Sequence, residues 1–331
     1  MKKLKVFTWH VHGNYLYYLS QANIDFYIPK QETYEEGYLG KTNNFPWGEN
    51  VFEIPASKVK ENNFDCILFQ SEKNYLLDQF KILSSTQRSL PTIYLEHNPP
   101  RQNPTDTVHV TQNSSTLLVH VTHFNNLMWD SGTTPTIVIE HGVKFLNQVD
   151  YIGDKERGIV VINNLQKRGR RLGFDLFENI RKKIPIDIIG MGSKEIGGLG
   201  EIPYSQLPQF LSHYRFFFSP IRYTSLGLSV VEAMMVGLPI IGYATTELPT
   251  VITNHVSGFI DTNTIQVVKQ MKLLMSHRAV AERMGQQAKE YAQKRFSIER
   301  FAREWEKVFQ IVTDRKYKEG NGSEFIKGAL L

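Results

Sequence analysis

The chain has 331 residues, 41% hydrophobic and 21% charged, a length that allows two ordinary domains and a balance that excludes a disordered chain. No run of about 18 apolar residues occurs, which excludes a spanning helix; the single cysteine, Cys66, excludes an internal disulfide or a multi-thiolate zinc site. Lys+Arg 38 against Asp+Glu 33 gives +5, and residues 155–183 alone hold nine Lys/Arg and three Asp/Glu, so one segment carries the surplus and points to phosphate, whether of a nucleotide, a nucleic acid or an anionic lipid.

In chain order, the basic start is interrupted by Lys5, His10 and His12, which break the apolar stretch a secretory signal needs, so a reducing, cytoplasmic setting is expected. Runs rich in β-branched and aromatic residues predict strands over 6–11, 65–70, 92–97, 116–123 and 136–140, then 158–163, 186–189, 216–220, 239–243 and 258–260. Segments with helical spacing separate them, which reads as repeated βα units and largely parallel sheets. The polar stretch 144–157 is the expected linker. Residues 264–294 and then 297–315 read as two or three terminal helices, with Ser297 as an N-cap. No amphipathic helix stands out.

The loops carry the chemistry. Thr8-Trp9-His10-Val11-His12-Gly13-Asn14 is a strand entering a glycine turn, and Gly13 and Asn14 could offer backbone and amide contacts to sugar or phosphate. His10 and His12 are expected on one side of the strand, for packing or substrate contact, because no third zinc ligand stands at a recognisable spacing. Glu96-His97-Asn98-Pro99-Pro100-Arg101 repeats that geometry, its double proline fixing an extended loop; the plainer alternative makes His97 a hydrogen-bonded strand-end residue. Lys167-Arg168-Gly169-Arg170-Arg171 is a basic loop before a helix, open to a diphosphate, a nucleic-acid backbone or solvent. It has no interleaved aromatics, so nucleic acid ranks below the diphosphate. Gly190-Met191-Gly192 has Glu195 where a dinucleotide fingerprint needs a third glycine.

The most informative stretch is 216–241, read as buried strand, glycine loop, short helix, glycine stop and buried strand. Gly227 lets a backbone approach a ligand, and the helix start after it offers free N–H groups to an anion. Glu232 lies about one turn into that helix, where a carboxylate could accept two hydrogen bonds from a ribose diol or simply sit at the surface near a helix start. No Asp-x-Asp, no Gly-x-x-x-x-Gly-Lys loop and no His-Glu-x-x-His occurs.

Ser219-Pro220, Gly227-Leu228, Val231-Glu232-Ala233-Met234, Gly237-Leu238-Pro239-Ile240-Ile241 and His255-Val256-Ser257-Gly258-Phe259 together resemble the nucleotide-sugar signature of retaining glycosyltransferases of family four, the group 1 glycosyl transferases of GT-B architecture. The resemblance implies an α/β fold of two Rossmann-like domains facing a cleft: an acceptor domain over 1–145, a donor domain over 155–300, and a last helix, 297–315, returning to the first. It implies hexosyl transfer from a nucleotide-diphospho sugar with retention, without metal or cofactor, to a glycan or lipid-linked acceptor. The family places two glutamates eight apart at this helix start. Glu232 matches the second and the first falls on Thr224, so Glu247, in the loop after 239–243, is the expected substitute acid; the competing reading makes it a cap of the helix that begins at Leu248-Pro249. By the same resemblance His97 stands beside the transferred sugar and Gly13, Asn14, Gly227 and Leu228 border the donor. Lys167, Arg170 and Arg171 serve the diphosphate, Lys167 and Arg171 matching the family spacing best, and 188–192 with 200–203 border the base. A nucleotide-sugar epimerase and a non-catalytic nucleotide-sugar binder are the rival readings. Nucleic acid is not an expected partner; at pI about 9 peripheral attachment to the inner face of a membrane stays open, as does the oligomeric state.

Overall fold

In the computed structural model, residues 3–33, 35–144 and 149–314 are described. Short apolar runs set the first sheet: β1 (Lys5–Thr8), β2 (Asp25–Lys30), β3 (Val51–Pro55), β4 (Cys66–Phe69), β5 (Thr92–Glu96), β6 (Thr116–His120) and β7 (Thr136–Val138). They pair in parallel in the order β3-β2-β1-β4-β5-β6-β7. β4 and β6 are buried at every position, the mark of parallel strands covered on both faces. The second sheet comprises β8 (Lys155–Val161), β9 (Ile186–Ile189), β10 (Tyr214–Ser219), β11 (Ile240–Tyr243) and β12 (Gly258–Asp261), parallel in the order β12-β11-β10-β8-β9. Each sheet therefore has a switch point where the winding reverses, between β1 and β4 in one and between β8 and β10 in the other. Ligands of such sheets bind at the carboxyl ends of the strands flanking that point.

The described residues up to Gly142, with those from Ile298 onward, form one compact unit, and Val143–Ser297 form another. The stretch read as a linker is largely docked on the second unit. Tyr204 hydrogen-bonds the Lys144 carbonyl, and Ile152 and Gly153 donate to Ser212 O at 2.9 and 2.8 Å; residues 145–148 lie outside the described residues. The helix Ile298–Thr313 places Phe301, Trp305, Val308, Phe309 and Val312 on one buried stripe of the first unit. Trp305 Nε1 donates to Tyr15 at 3.2 Å, and Arg300 Nη2 donates to the Glu140 carbonyl at 2.9 Å. An amphipathic helix is thus present, but its apolar face is already covered. Arg315, expected at its end, lies outside the described residues. No helix among the described residues is long and apolar enough to cross a membrane.

Several expected elements shift. β2 and β3 are not among the expected strands, and β2 contains Pro29, a residue that ordinarily argues against a strand. The proline is tolerated because β1 pairs with β2 only through Tyr27 and needs no N–H from it. The strand expected over 6–11 stops at Thr8. The one expected over 116–123 stops at His120, since Thr122 Oγ1 accepts the Asn125 N–H at 3.1 Å and opens the helix His123–Met128. The two or three expected terminal helices are three, His277 separating Thr264–Ser276 from Arg278–Arg295 ahead of Ile298–Thr313.

Candidate functional site

The carboxyl ends of β8 and β10 bring together most of the residues that the sequence singles out. After β8 the chain reaches Asn164, in the left-handed region at φ 53°, then folds into the helical turn Leu165–Arg168, the 3-10 turn Gly169–Leu172 and the helix Phe174–Arg181. The basic segment is therefore helical rather than an open loop. Lys167 and Arg170 are exposed and Arg171 is half-buried. Arg170 Nη1 stands 2.6 Å from Asp175 Oδ2, while the Arg171 carbonyl accepts the N–H groups of Arg222 and Tyr223, each at 3.1 Å. Gly173 has φ 82°, and a Cβ there would stand 1.9 Å from Pro220 O, so the turn must be glycine for the two segments to meet.

After β10 the chain runs through Thr224, only 7% exposed, to the helix Leu228–Val236. Gly227 is its N-cap, with no side-chain cap and no acid in the first turn, so the helix start keeps its positive end for an anion. Leu228 is half-buried. Glu232 is 2% exposed, which removes the surface-glutamate alternative. A small pocket lies at this place, lined by Ser219, Ile221, Ser225, Leu226, Gly227, Val230, Thr245, Thr246 and Leu248. Thr246 holds φ 52°, a conformation costly for a β-branched residue. Glu247, next to it, is 1% exposed; its Oε1 accepts from Thr250 Oγ1 at 2.9 Å and stands 4.0 Å from Arg295 Nη2. It occupies the N-cap position of Leu248–Val251 but makes no side-chain cap hydrogen bond there. The Gly190-Met191-Gly192 turn is explained by packing: Met191 donates to Asn163 Oδ1 at 2.9 Å, and a Cβ on Gly190 would stand 2.7 Å from that oxygen.

In the first unit, Gln70 at the end of β4 donates through Nε2 to Thr8 Oγ1 at 2.9 Å and to Trp9 O at 2.8 Å. Its Oε1 is left to accept from His97 Nε2, 3.3 Å away, which assigns the imidazole proton to that nitrogen. Burial, and then the neighbouring His12 and His141, hold the His97 pKa well below the usual histidine range. The His12 ring centroid is 4.0 Å from that of His97, and the Tyr15 ring meets His97 edge-on at 4.8 Å. The expected pairing of His10 with His12 fails because β1 has already ended. His10 turns away, its Nδ1 donating to Gly40 O at 2.6 Å and its ring against Trp47. Gly13, beside half-buried Asn14, is close-packed: a Cβ would stand 2.9 Å from the Phe45 ring and 3.0 Å from His10 Nε2.

A second network supports the His97 loop. The Thr111 N–H donates to His109 Nδ1 at 3.1 Å, so Nε2 carries the proton toward Glu96 Oε2 at 3.3 Å, and Glu96 Oε1 accepts the Asn98 N–H at 2.8 Å. The Trp129 indole donates to Asn98 O at 2.8 Å. Arg101 is exposed. Sequence reasoning missed Gln70, His109, Asp175 and the role of Arg222; only Gln70, a polar residue closing a buried strand, carried a readable signal. Among the described residues no group of three His, Cys, Asp or Glu could hold a metal ion.

Residues 192–291 match the family described as glycosyl transferases group 1. Trehalose synthase of Pyrococcus horikoshii is 36% identical over 72 residues, which is 22% of this chain and 17% of that protein. Among solved structures, HepE of Anabaena in complex with UDP-glucose superposes with a TM-score of 0.69 at 13% identity, covering 93% of this chain and 99% of that one. Sucrose-phosphate synthase of Thermosynechococcus elongatus superposes at 0.66 and 13% identity, over 94% and 98%. AviGT4, a glycosyltransferase involved in avilamycin A biosynthesis, does so at 0.62 and 10% identity, over 94% and 98%. The fold, α/β with two parallel sheets, is that of GT-B glycosyltransferases.

Proposed function

We propose that this chain, which carries a glycosyl transferases group 1 segment over residues 192–291, transfers a hexosyl unit from a nucleotide-diphospho sugar to a glycan or lipid acceptor with retention of configuration. The observation that carries the reading is the meeting, at the β8/β10 switch point, of a basic helical segment with an uncapped helix start. Lys167, Arg170 and Arg171, with the Gly227–Leu228 amides, take the diphosphate and oppose the charge that grows on it as the glycosidic bond breaks. The chain's own cations fill the place a divalent metal holds in other transferases. Buried Glu232 accepts the ribose hydroxyls. His97, neutral and oriented by Gln70, serves the transferred sugar as a hydrogen-bonding group, and the Gly13–Asn14 turn borders the sugar. The Thr224 hydroxyl bonds one sugar oxygen but cannot stabilise an oxocarbenium ion as a carboxylate would, so Glu247 supplies that charge. The departing phosphate oxygen takes the acceptor proton.

A uridine nucleotide is the first donor to try, given the HepE complex with UDP-glucose. Thermal shift with UDP, GDP and ADP tests the site, because a ligand of the folded state raises its apparent stability; no shift with any of them overturns the reading. Release of nucleoside diphosphate from the matching sugar in the presence of acceptors then tests transfer, and binding without turnover across donors and acceptors reduces the protein to a nucleotide-sugar binder. Glu247→Gln should slow transfer about tenfold, or about 1.4 kcal/mol, with nucleotide affinity nearly unchanged. Its melting temperature must be read alongside, since the substitution also leaves Arg295 with one partner fewer.

A further inference from the structure

We propose that Arg222, gripped by Asp175, is a positioning residue that fixes the 220–224 loop against the basic segment, so that the two anion-binding elements of the donor site keep one separation before a nucleotide arrives. The proposal rests on the donor-site reading above. Arg222 Nη1 and Nη2 meet Asp175 Oδ1 and Oδ2 at 2.6 and 2.8 Å, and Nη1 also donates to the Arg170 carbonyl at 2.7 Å. Its own N–H and that of Tyr223 both end on the Arg171 carbonyl. The loop is thus tied to three successive features of the basic segment: Arg170, Arg171 and the first turn of the helix Phe174–Arg181. From the opposite side Thr245 Oγ1 donates to the Ile221 carbonyl at 2.9 Å. Thr224 and Gly227 follow directly, so wherever this loop sits, the helix start sits with it.

The chemistry of the pair suits positioning better than either stability or ligand binding. A guanidinium fork on a carboxylate fixes direction as well as distance, which a lysine cannot do. Both side chains are about a third exposed, at 30% and 31%, and pairs so placed contribute little to folding. Asp175 neutralises Arg222, whereas Lys167 carries its charge in the open. Arg170 shares the same carboxylate but is 76% exposed and ties the basic segment only to the helix that follows it, whereas the Arg222 side chain reaches that carboxylate from the 220–224 loop.

The test is a cycle of Arg222→Gln, Asp175→Asn and the double variant, with UDP affinity measured by calorimetry and melting temperature read in parallel. A shared positioning role predicts that each single variant weakens UDP about tenfold, the scale of coupling within one salt-bridge network, and that the double variant is no weaker than either. Arg222→Lys should not recover the loss. Weaker binding in Arg222→Gln with unchanged or tighter binding in Asp175→Asn would make Arg222 a direct phosphate ligand and overturn the proposal. Wild-type affinity in all variants would overturn it, and so would losses fully accounted for by a lowered melting temperature. A wild-type protein that binds no nucleoside diphosphate would instead fail the donor-site reading itself, and the positioning role would fall with it.

Discussion

The two units share a doubly wound parallel plan but arm the carboxyl ends of their strands differently. The first buries five histidines, His10, His97, His109, His120 and His141, with one carboxylate, Asp78, while the second buries none of its three histidines and buries Glu232 and Glu247 in the segments that follow β10 and β11. Burial lowers the pKa of His10, His97 and His120, so these imidazoles offer directional donors and acceptors without net charge, which suits hydroxyl groups. The second holds fixed charges and a basic segment, which suits a diphosphate. One backbone plan thus supports two kinds of polar chemistry, chosen by side chains at strand ends.

The sharpest way to break this comparison is to discharge the second unit. Lys167→Ala with Arg171→Ala should lower transfer by about 10²–10³, as expected for removing donors aimed at developing charge, with circular dichroism and melting temperature close to wild type. Full turnover with an intact fold would move the phosphate site elsewhere. Glu232→Ala should weaken nucleotide binding by about 1–3 kcal/mol, because ribose hydroxyls lose their acceptor in a water-poor site; calorimetry reads this directly, and unchanged affinity would remove the ribose role.

Acid should separate the units. Burial lowers the pKa of His10 and His97 and pushes that of His120 down to about 3. The unfolded chain takes up these protons near pH 6.5 and the native first unit refuses them, so its stability falls as pH drops below about 6.5, by roughly 1.4 kcal/mol per pH unit for each histidine. In the second unit the Arg222 guanidinium lowers the Asp175 pKa, and that contribution persists until pH falls below about 4. Hydrogen exchange between pH 7 and pH 5 should therefore show β1–β7 losing protection before β8–β12. Equal loss in both sheets would contradict the division.

Much of the second unit was readable because its signals are local. Gly227, Glu232 and Gly237 lie within one strand-helix-strand passage, and apolar runs such as Phe216-Phe217-Phe218 and Ile240-Ile241 mark strands buried on both faces. The helical form of Leu165–Arg168 was not readable from its basic composition, nor was the close approach of Gly173 to Pro220, which is a tertiary contact. In the first unit β2 contains Pro29, whose acceptability in a strand depends on where β1 stops pairing.

The sequence by itself determined the α/β class, the two groups of strands, the basic segment and the glycine-framed helix carrying Glu232, since each depends on residue type at short spacing. Only the tertiary structure decided which polar groups face one another. His12 meets His97 across 85 residues of chain, Gln70 fixes the His97 proton, and Asp175 grips Arg222. Such pairings follow from strand order and register, which bring distant segments to one sheet edge, and neither composition nor spacing encodes that juxtaposition on its own.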